Sequence, residues 1–172
     1  MRAIIETKRL ILRNLVPDDY VAAFKWCGDP VVNKYMIYPL YKNAEDVKKW
    51  IETLNPDDPD NYDLGFVLKE TGELIGSGGL IYKADRDVWM IGYNIRADMW
   101  GQGLVPEAMQ GLIDYVGRTR GIKAIEGEFA VENHKSRRVM EKLGMSYDRD
   151  AEYEKLDGSA GFKAKVFRRE FV

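Results

Sequence analysis

Residues 88–116 constrain the fold of this chain more than any other segment. The apolar stretch Val88–Ile95 has the composition of a β-strand, and the turn Gly101-Gln102-Gly103 follows it closely. Beyond the turn, apolar side chains recur every four residues, which predicts an amphipathic helix. These side chains are Leu104, Ala108, Leu112 and Val116. A strand that leads through glycine into a helix indicates a protein that layers helices on a sheet.

The same turn is typical of an anion site. Glycine lets the backbone turn sharply and leaves room for a ligand. The first N–H groups of a helix have no partner inside the helix, and with the helix dipole they attract negative charge. A phosphate or pyrophosphate is the natural ligand of such a site. On this pattern alone, a turn that binds nothing explains the glycines equally well.

The rest of the chain alternates between strand and helix patterns. Strands are predicted at residues 9–13, 64–68, 73–76, 88–95, 122–131, 146–156 and 163–171. Helices are predicted from Pro17 to just before Gly28, over residues 44–54, from Leu104 onward, and before Gly144. This order predicts a mixed α+β fold with a mostly antiparallel sheet. Residues 55–61 resemble a surface loop rather than a linker, so residues 1–172 are expected to form a single domain.

Composition excludes several classes of function. With 172 residues and 45% hydrophobic residues, the chain can bury a core of its own. A net charge of −2 argues against a general nucleic-acid binder. One Cys and one His argue against a disulfide and a metal centre, so we expect no metal. The chain has no run that could span a membrane, and its first six residues are too short an apolar stretch for a signal peptide. A cytoplasmic location is therefore expected, and whether the chain forms a homodimer stays open.

The glycine turn does not match two common nucleotide-binding motifs. A P-loop requires Lys followed by Ser or Thr after its glycines, and no such pair is present. The dinucleotide fingerprint requires a third glycine or alanine where Pro106 stands. Binding of ATP or NAD is therefore not expected.

A third motif matches. Trp100-Gly101-Gln102-Gly103-Leu104-Val105-Pro106-Glu107-Ala108 resembles the acetyl-CoA-binding motif of the GNAT superfamily of N-acetyltransferases, in the form found in the RimJ/RimL-type branch. Residues 7–13, 91–93 and 132–145 resemble other segments of that branch. The resemblance implies a GNAT-like fold of α/β/α layers, with helices on both faces of the sheet. It also implies acetyl-CoA as co-substrate and a peptide or small-molecule amine as acceptor.

The resemblance further implies how this chain holds the cofactor. Backbone groups of Tyr93, Asn94 and Ile95 would pair with the pantetheine arm. The amides of Gly101, Gln102, Gly103, Leu104 and Val105, next to the motif residue Trp100, would hold the pyrophosphate. Asn133 would bind the pantetheine region, and Lys142 would help to hold the phosphates on the adenosine side. Val105 stands where the family has Gly or Ala, which predicts a more crowded backbone approach.

The reaction implied is direct attack of an amine on the acetyl thioester, which needs a base and an acid. We favour Glu128 as the base because several members of the superfamily have a Glu at this place. Glu126 shares its strand face, and the two acids could act as base, bind a cationic substrate or be polar residues on a half-exposed strand. A Tyr common in the superfamily is replaced by Met140, and a Glu common in the branch by Met90. By resemblance to this branch, Ser136 is the candidate acid, and a Ser that only packs or caps the helix is the alternative.

The leading interpretation is an acetyl-CoA-dependent N-acetyltransferase acting on a primary amine in a ternary complex. The acceptor could be a protein N-terminus, a polyamine, an amino acid or an antibiotic. The missing Tyr and Glu also allow a non-catalytic acyl-CoA-binding module with the same fold. The aromatic residues Tyr35, Tyr38 and Tyr41 are expected either to border the acceptor cleft or to pack in the core. Cys27 is expected to be buried.

Overall fold

The computed structural model describes residues 5–172, and within this range eight strands form one sheet in the order β1-β2-β3-β4-β5-β6-β8-β7. The strands are β1 (Ile5–Glu6), β2 (Leu10–Asn14), β3 (Asn61–Leu68), β4 (Leu74–Lys83), β5 (Val88–Ile95), β6 (Ala124–Ala130), β7 (Ser146–Glu154) and β8 (Gly161–Glu170). Of the strand pairs in the described chain, only β5 and β6 are parallel. The predicted mixed, mostly antiparallel sheet is confirmed.

Five α-helices of the described chain connect these strands. They are α1 (Tyr20–Cys27), α2 (Pro30–Asn33), α3 (Ala44–Glu52), α4 (Leu104–Thr119) and α5 (His134–Lys142). Short 3-10 turns at Pro17–Asp19 and Ala97–Met99 precede α1 and the glycine turn. The Asn43 side chain caps α3 by accepting a hydrogen bond from the Asp46 amide at 3.0 Å, and Glu45 and Asp46 suit the positive end of that helix. Local sequence signals therefore determine where α3 begins.

Helices cover both faces of the sheet, as the resemblance implied. On one face, buried residues of α4 and α5 such as Met109 and Met140 pack with Phe66 of β3. On the other face, Trp26 of α1 and Ile51 of α3 form a second buried cluster. Side chains of a strand alternate between its faces, so one central sheet supplies both cores.

Several elements differ from the sequence prediction. The predicted strand at residues 73–76 extends to Lys83, through Gly78 and Gly79. These glycines permit close backbone packing, because a Cβ on Gly79 would clash with the carbonyl oxygen of Tyr62. The short elements β1 and α2 were not predicted, because two and four residues carry too little periodicity to be detected.

The structure bears on only one of the two expectations about membrane spans and signal peptides. No helix in the described part of the chain is long and apolar enough to cross a membrane. The signal-peptide interpretation of the first six residues rests on Met1, Arg2, Ala3 and Ile4, which lie outside the described residues.

Candidate functional site

The parallel strands β5 and β6 diverge and open a wedge in the sheet. They pair only at Trp89 with Ile125 and at Met90 with Glu126. Beyond these pairs, Tyr93, Asn94 and Ile95 still pair with β4 on the other side of β5. The edge of β5 that faces β6 is therefore left without a neighbouring strand. An extended ligand can add to such an edge through backbone hydrogen bonds.

The glycine turn stands at the mouth of this wedge. Gly101 and Gly103 have φ angles of +79° and +73°, which side-chain-bearing residues rarely adopt. Among the described residues, none accepts a hydrogen bond from the amides of Gly101, Gln102, Gly103, Leu104 or Val105; the next amide bond in sequence runs from Glu107 N to Gly103 O at 3.2 Å. These unpaired amides and the positive end of α4 could bind an anion, which is one of the two interpretations that the sequence allowed.

Val105 does not obstruct this site. The substitution of Val for Gly or Ala predicted crowding, but the Val105 side chain is buried in the core beneath α4. Because this side chain packs in the core, its extra methyl groups contact other apolar residues. The expected crowding at this position is absent.

Trp100 forms a wall of the site beside the glycine turn. Its indole Nε1 donates a hydrogen bond to the carbonyl oxygen of Ile95 at 3.1 Å, which ties the turn to the end of β5. The ammonium of Lys135 lies 4.0 Å from the centre of the indole ring. Lys135 is in the first turn of α5, whereas Lys142 is exposed in the last turn of that helix. The structure thus places Lys135 next to the turn, and Lys142 roughly 10 Å further along the helix axis at about 1.5 Å per residue.

Asn133 begins α5 at the wedge. Its side-chain oxygen accepts a hydrogen bond from the Ser136 amide at 3.3 Å and so caps the helix. Ser136 in turn lies 2.6 Å from the hydroxyl of Tyr93, measured between the two side-chain oxygens. Tyr93 therefore contributes a side chain as well as backbone groups, and its hydroxyl joins β5 to α5 across the wedge. Burial raises the pKa of that hydroxyl, so Tyr93 stays protonated at neutral pH.

Glu126 and Glu128 share a strand face, as the spacing predicted, but their surroundings differ. Glu126 is fully buried at the closed end of the wedge, where it accepts hydrogen bonds from Arg86, Arg149 and Arg168 at 2.7, 3.0 and 2.6 Å. Burial alone would raise its pKa, but the three guanidinium groups outweigh that effect and lower the pKa to about 2. Glu126 is therefore a structural ion-pair centre, and the interpretation of both acids as solvated polar residues is wrong for Glu126.

Glu128 lies two residues further along β6, where the strands have separated. Its side chain is exposed, and partial burial raises the pKa of its carboxyl while Arg149 opposes the rise. A carboxylate with a raised pKa is a stronger base than a freely solvated one. Of the two acids, only Glu128 is available to a ligand in the wedge.

Sequence reasoning missed one contact of the aromatic loop beside the wedge. The hydroxyl of Tyr38 accepts a hydrogen bond from Asn94 Nδ2 at 2.9 Å, so the aromatic loop before α3 borders the wedge. The hydroxyl of Tyr153 donates to the carbonyl oxygen of Tyr35 at 2.6 Å and fixes that loop to the final hairpin. The tyrosines near residue 38 were a usable sequence signal. No local sequence pattern indicated the role of Tyr153, because its partner Tyr35 lies 118 residues away in sequence.

Asn94 itself has an unsatisfied polar atom. Its Oδ1 is buried and has no hydrogen-bond partner in the described chain. Buried acceptors are nearly always paired in native proteins, so this atom indicates a missing donor in the wedge. In addition, no three His, Cys, Asp or Glu side chains within residues 5–172 come together to hold a metal ion.

Comparison with known proteins identifies the family. The model of the acetyltransferase (GNAT) domain family matches residues 9–146. The p20 protein of Bacillus licheniformis, described as an uncharacterized N-acetyltransferase, is 29% identical over 158 residues, which are 88% of each chain.

Solved structures share the fold. The microcin C7 self-immunity acetyltransferase MccE, in complex with acetyl-CoA and AMP, aligns with a TM-score of 0.83 at 20% identity, over 95% of this chain and 93% of its own. RimL, a ribosomal L7/L12 alpha-N-protein acetyltransferase in complex with coenzyme A, aligns with a TM-score of 0.82 at 19% identity, over 98% of both chains. The divergent strands, the glycine turn and the family match together show that this chain belongs to the GNAT acetyltransferase family.

Proposed function

We propose that this protein is an N-acetyltransferase that takes the acetyl group from acetyl-CoA and transfers it to a primary amine. The observation that supports this most directly is the open edge of β5 beside the unpaired amides of the glycine turn. MccE and RimL, which share the fold, are acetyltransferases in complex with acetyl-CoA and coenzyme A.

The residues of the wedge fit this cofactor. The backbone of Tyr93, Asn94 and Ile95 offers a strand edge to the pantetheine amides, and the unpaired Asn94 Oδ1 can accept a hydrogen bond from one of them. The amides from Gly101 to Val105 offer donors to the pyrophosphate, with Trp100 as the adjoining wall. Asn133 lies at the start of α5 beside the pantetheine path. Lys142, with Lys135, would add positive charge for the phosphates. When bound, acetyl-CoA supplies an activated thioester carbonyl.

Glu128 is proposed as the base. An amine is protonated at neutral pH and must lose a proton before its nitrogen can react. Glu128 presents a carboxylate at the open part of the wedge, and its raised pKa suits it to accept that proton directly or through water. Activity should fall on acidification as Glu128 becomes protonated, because a protonated carboxyl cannot accept the proton of the amine.

Ser136 is proposed to present a proton to the leaving sulfur. Its hydroxyl lies at the start of α5, 2.6 Å from the hydroxyl of Tyr93. Met140, which stands where the superfamily often has Tyr, is buried against Gly127 and offers no proton. The pair formed by Ser136 and Tyr93 therefore provides hydroxyl groups on this side of the wedge.

The acceptor is proposed to be a protein N-terminus or a small-molecule amine. RimL is a ribosomal L7/L12 alpha-N-protein acetyltransferase, whereas MccE confers self-immunity to microcin C7. The tyrosine-lined loop near Tyr38 forms the acceptor side of the wedge in this chain. Both acceptor classes should therefore be screened.

The test has a binding step and a turnover step. Acetyl-CoA at a hundred times its Kd should stabilise the folded protein by about 2.7 kcal/mol, a rise in Tm of roughly 5 °C or more, whereas ATP and NADH should not. Turnover is then measured by release of free thiol with panels of peptides and small amines. No stabilisation by acetyl-CoA or CoA would refute the proposal. Binding without turnover on either panel would favour the acyl-CoA-binding module.

Two variants test the catalytic assignment once an acceptor is found. Glu128→Gln should lower kcat by about 10²-fold or more, the usual contribution of a general base. Ser136→Ala should lower kcat while acetyl-CoA still binds. Glu132→Gln and Ser146→Ala, which change exposed residues outside the wedge, serve as matched controls. Full activity in both test variants would show that the assignment of base and acid is wrong.

A further inference from the structure

A partly exposed ion pair between Arg9 and Glu107 lies beside the glycine turn. Arg9 Nη1 donates a hydrogen bond to the carbonyl oxygen of Gln102 at 2.8 Å, and Arg9 Nε donates to Glu107 Oε1 at 2.8 Å. Arg9 Nη2 comes within 3.6 Å of the position that a Cβ on Gly103 would occupy. One guanidinium group therefore contacts both the turn and the first turn of α4.

The position of Arg9 is fixed on several sides. Its amide donates to Glu107 Oε2 at 2.8 Å, and its carbonyl oxygen accepts from the Lys69 amide at 2.9 Å. The Thr7 hydroxyl donates to the same carboxylate oxygen of Glu107 at 2.6 Å. The β1–β2 turn also packs tightly on α4, because a Cβ on Gly111 would lie 2.8 Å from Thr7 Cγ2. Arg9 can therefore hold the turn in one place.

The peptide that Arg9 contacts joins Gln102 to Gly103. Gln102 lies between two glycines, Gly101 and Gly103, both in the left-handed region. Glycine adopts a wider range of backbone conformations than other residues, so these glycines by themselves do little to fix the orientation of the Gln102–Gly103 peptide. In a trans peptide the C=O and the following N–H point in opposite directions, and the described chain has no cis peptide. Holding Gln102 C=O toward Arg9 therefore directs Gly103 N–H away from Arg9.

We propose that Arg9 is a positioning residue that pre-orients the Gln102–Gly103 peptide so that the Gly103 amide faces the pyrophosphate of CoA. This inference rests on the proposed function, because it assumes that the turn binds a CoA pyrophosphate. Glu107 holds the guanidinium in place, and Thr7 holds Glu107. The orientation of the turn thus depends on a residue almost a hundred positions earlier in the sequence.

The side chain must be arginine for this role. The guanidinium group donates in two directions at once, to Glu107 and to Gln102. A lysine ammonium keeps the charge, but it is a point donor at the end of a flexible chain and cannot reproduce the fork. Arg9→Lys therefore preserves the ion pair with Glu107 and removes the constraint on the turn.

The test compares CoA affinity in three variants by isothermal titration. Arg9→Lys and Arg9→Met should each raise the Kd of CoA by about tenfold, the effect of losing roughly one oriented hydrogen bond. Lys8→Met is the control, because Lys8 is an exposed neighbouring cation. It should change the Kd by less than about twofold, since screened surface charges contribute little. Thermal unfolding of each free variant measures whether the fold is intact.

A second titration separates positioning from a general structural effect. Pantetheine lacks the pyrophosphate, and its weak binding can be followed by NMR on the amides of Asn94 and Ile95. Arg9→Lys should leave this titration unchanged. Wild-type affinity for CoA in both Arg9 variants, or an equal loss for CoA and pantetheine, would overturn the inference and leave the proposed function intact. Failure of the wild-type protein to bind CoA would overturn the proposed function as well.

Discussion

Replacing Glu126 by glutamine tests the ion-pair centre at the closed end of the wedge. The Glu126 carboxylate is fully buried and is contacted by Arg86, Arg149 and Arg168. Its pKa is about 2 in the folded protein, against an ordinary value of 4.5. At 1.36 kcal/mol for each tenfold change in the proton dissociation constant, this difference contributes about 3 kcal/mol to the free energy of unfolding at pH 7.

The pH dependence follows from the direction of the pKa change. Because the folded pKa lies below the unfolded one, the contribution is complete above pH 4.5 and is lost as the pH falls toward 2. Glutamine mimics the protonated acid, so Glu126→Gln should lower the free energy of unfolding by about 3 kcal/mol at pH 7 and by less than half of that near pH 3. For a chain of this length the loss at pH 7 corresponds to a fall in Tm of about 6–12 °C.

Urea unfolding followed by circular dichroism at pH 7 and pH 3 measures both values. Glu128→Gln is the matched control on the same strand face. The pKa of Glu128 is raised rather than lowered, so neutralising this residue should not reduce stability. A loss below about 1 kcal/mol in Glu126→Gln at pH 7, or an equal loss at both pH values, would refute the reasoning.

Three further predictions concern backbone and packing. Gly103→Ala forces a side chain into φ +73° and should lower the free energy of unfolding by about 1 kcal/mol. Gly117→Ala in α4, where a Cβ would have open space, should raise the free energy of unfolding by up to about 1 kcal/mol. Equal effects of the two variants in urea titrations would contradict this reasoning. Gly127→Ala places a Cβ 2.6 Å from Met140 Cε and should lower the free energy of unfolding by about 1–3 kcal/mol. An unchanged urea midpoint would show that Met140 can move aside. Burial raises the pKa of the Cys27 thiol to about 12. The native protein should therefore react with DTNB at pH 8 far more slowly than the urea-unfolded chain. Similar reaction rates would show that Cys27 is accessible in the native protein.

Much of the fold could be predicted from local patterns in the chain. The four-residue repeat from Leu104 to Val116 matches α4, and the helix that ends before Gly144 is α5. The glycine turn itself was predicted from residue types alone, and both of its glycines adopt the left-handed conformation that only glycine takes easily. Such signals are readable because they depend on neighbours within one or two turns of chain.

The chemistry of the site was harder to predict than the fold, because it depends on contacts across the sheet. Periodicity placed Glu126 and Glu128 on one strand face and could not distinguish them. The difference arises from strand register. Glu126 lies opposite Arg168 of β8 and also accepts hydrogen bonds from Arg86 and Arg149, whereas Glu128 lies opposite Val166.

The amino-acid sequence by itself determined the family, the order of most elements and the position of the glycine turn, since each depends on short motifs. Tertiary structure alone decided that Tyr93 meets Ser136, that Tyr38 meets Asn94, and that Arg9 holds Gln102. These partners are 43 to 93 residues apart in sequence. Strand order and register bring them together, and both are set by long-range pairing and core packing rather than by local propensity.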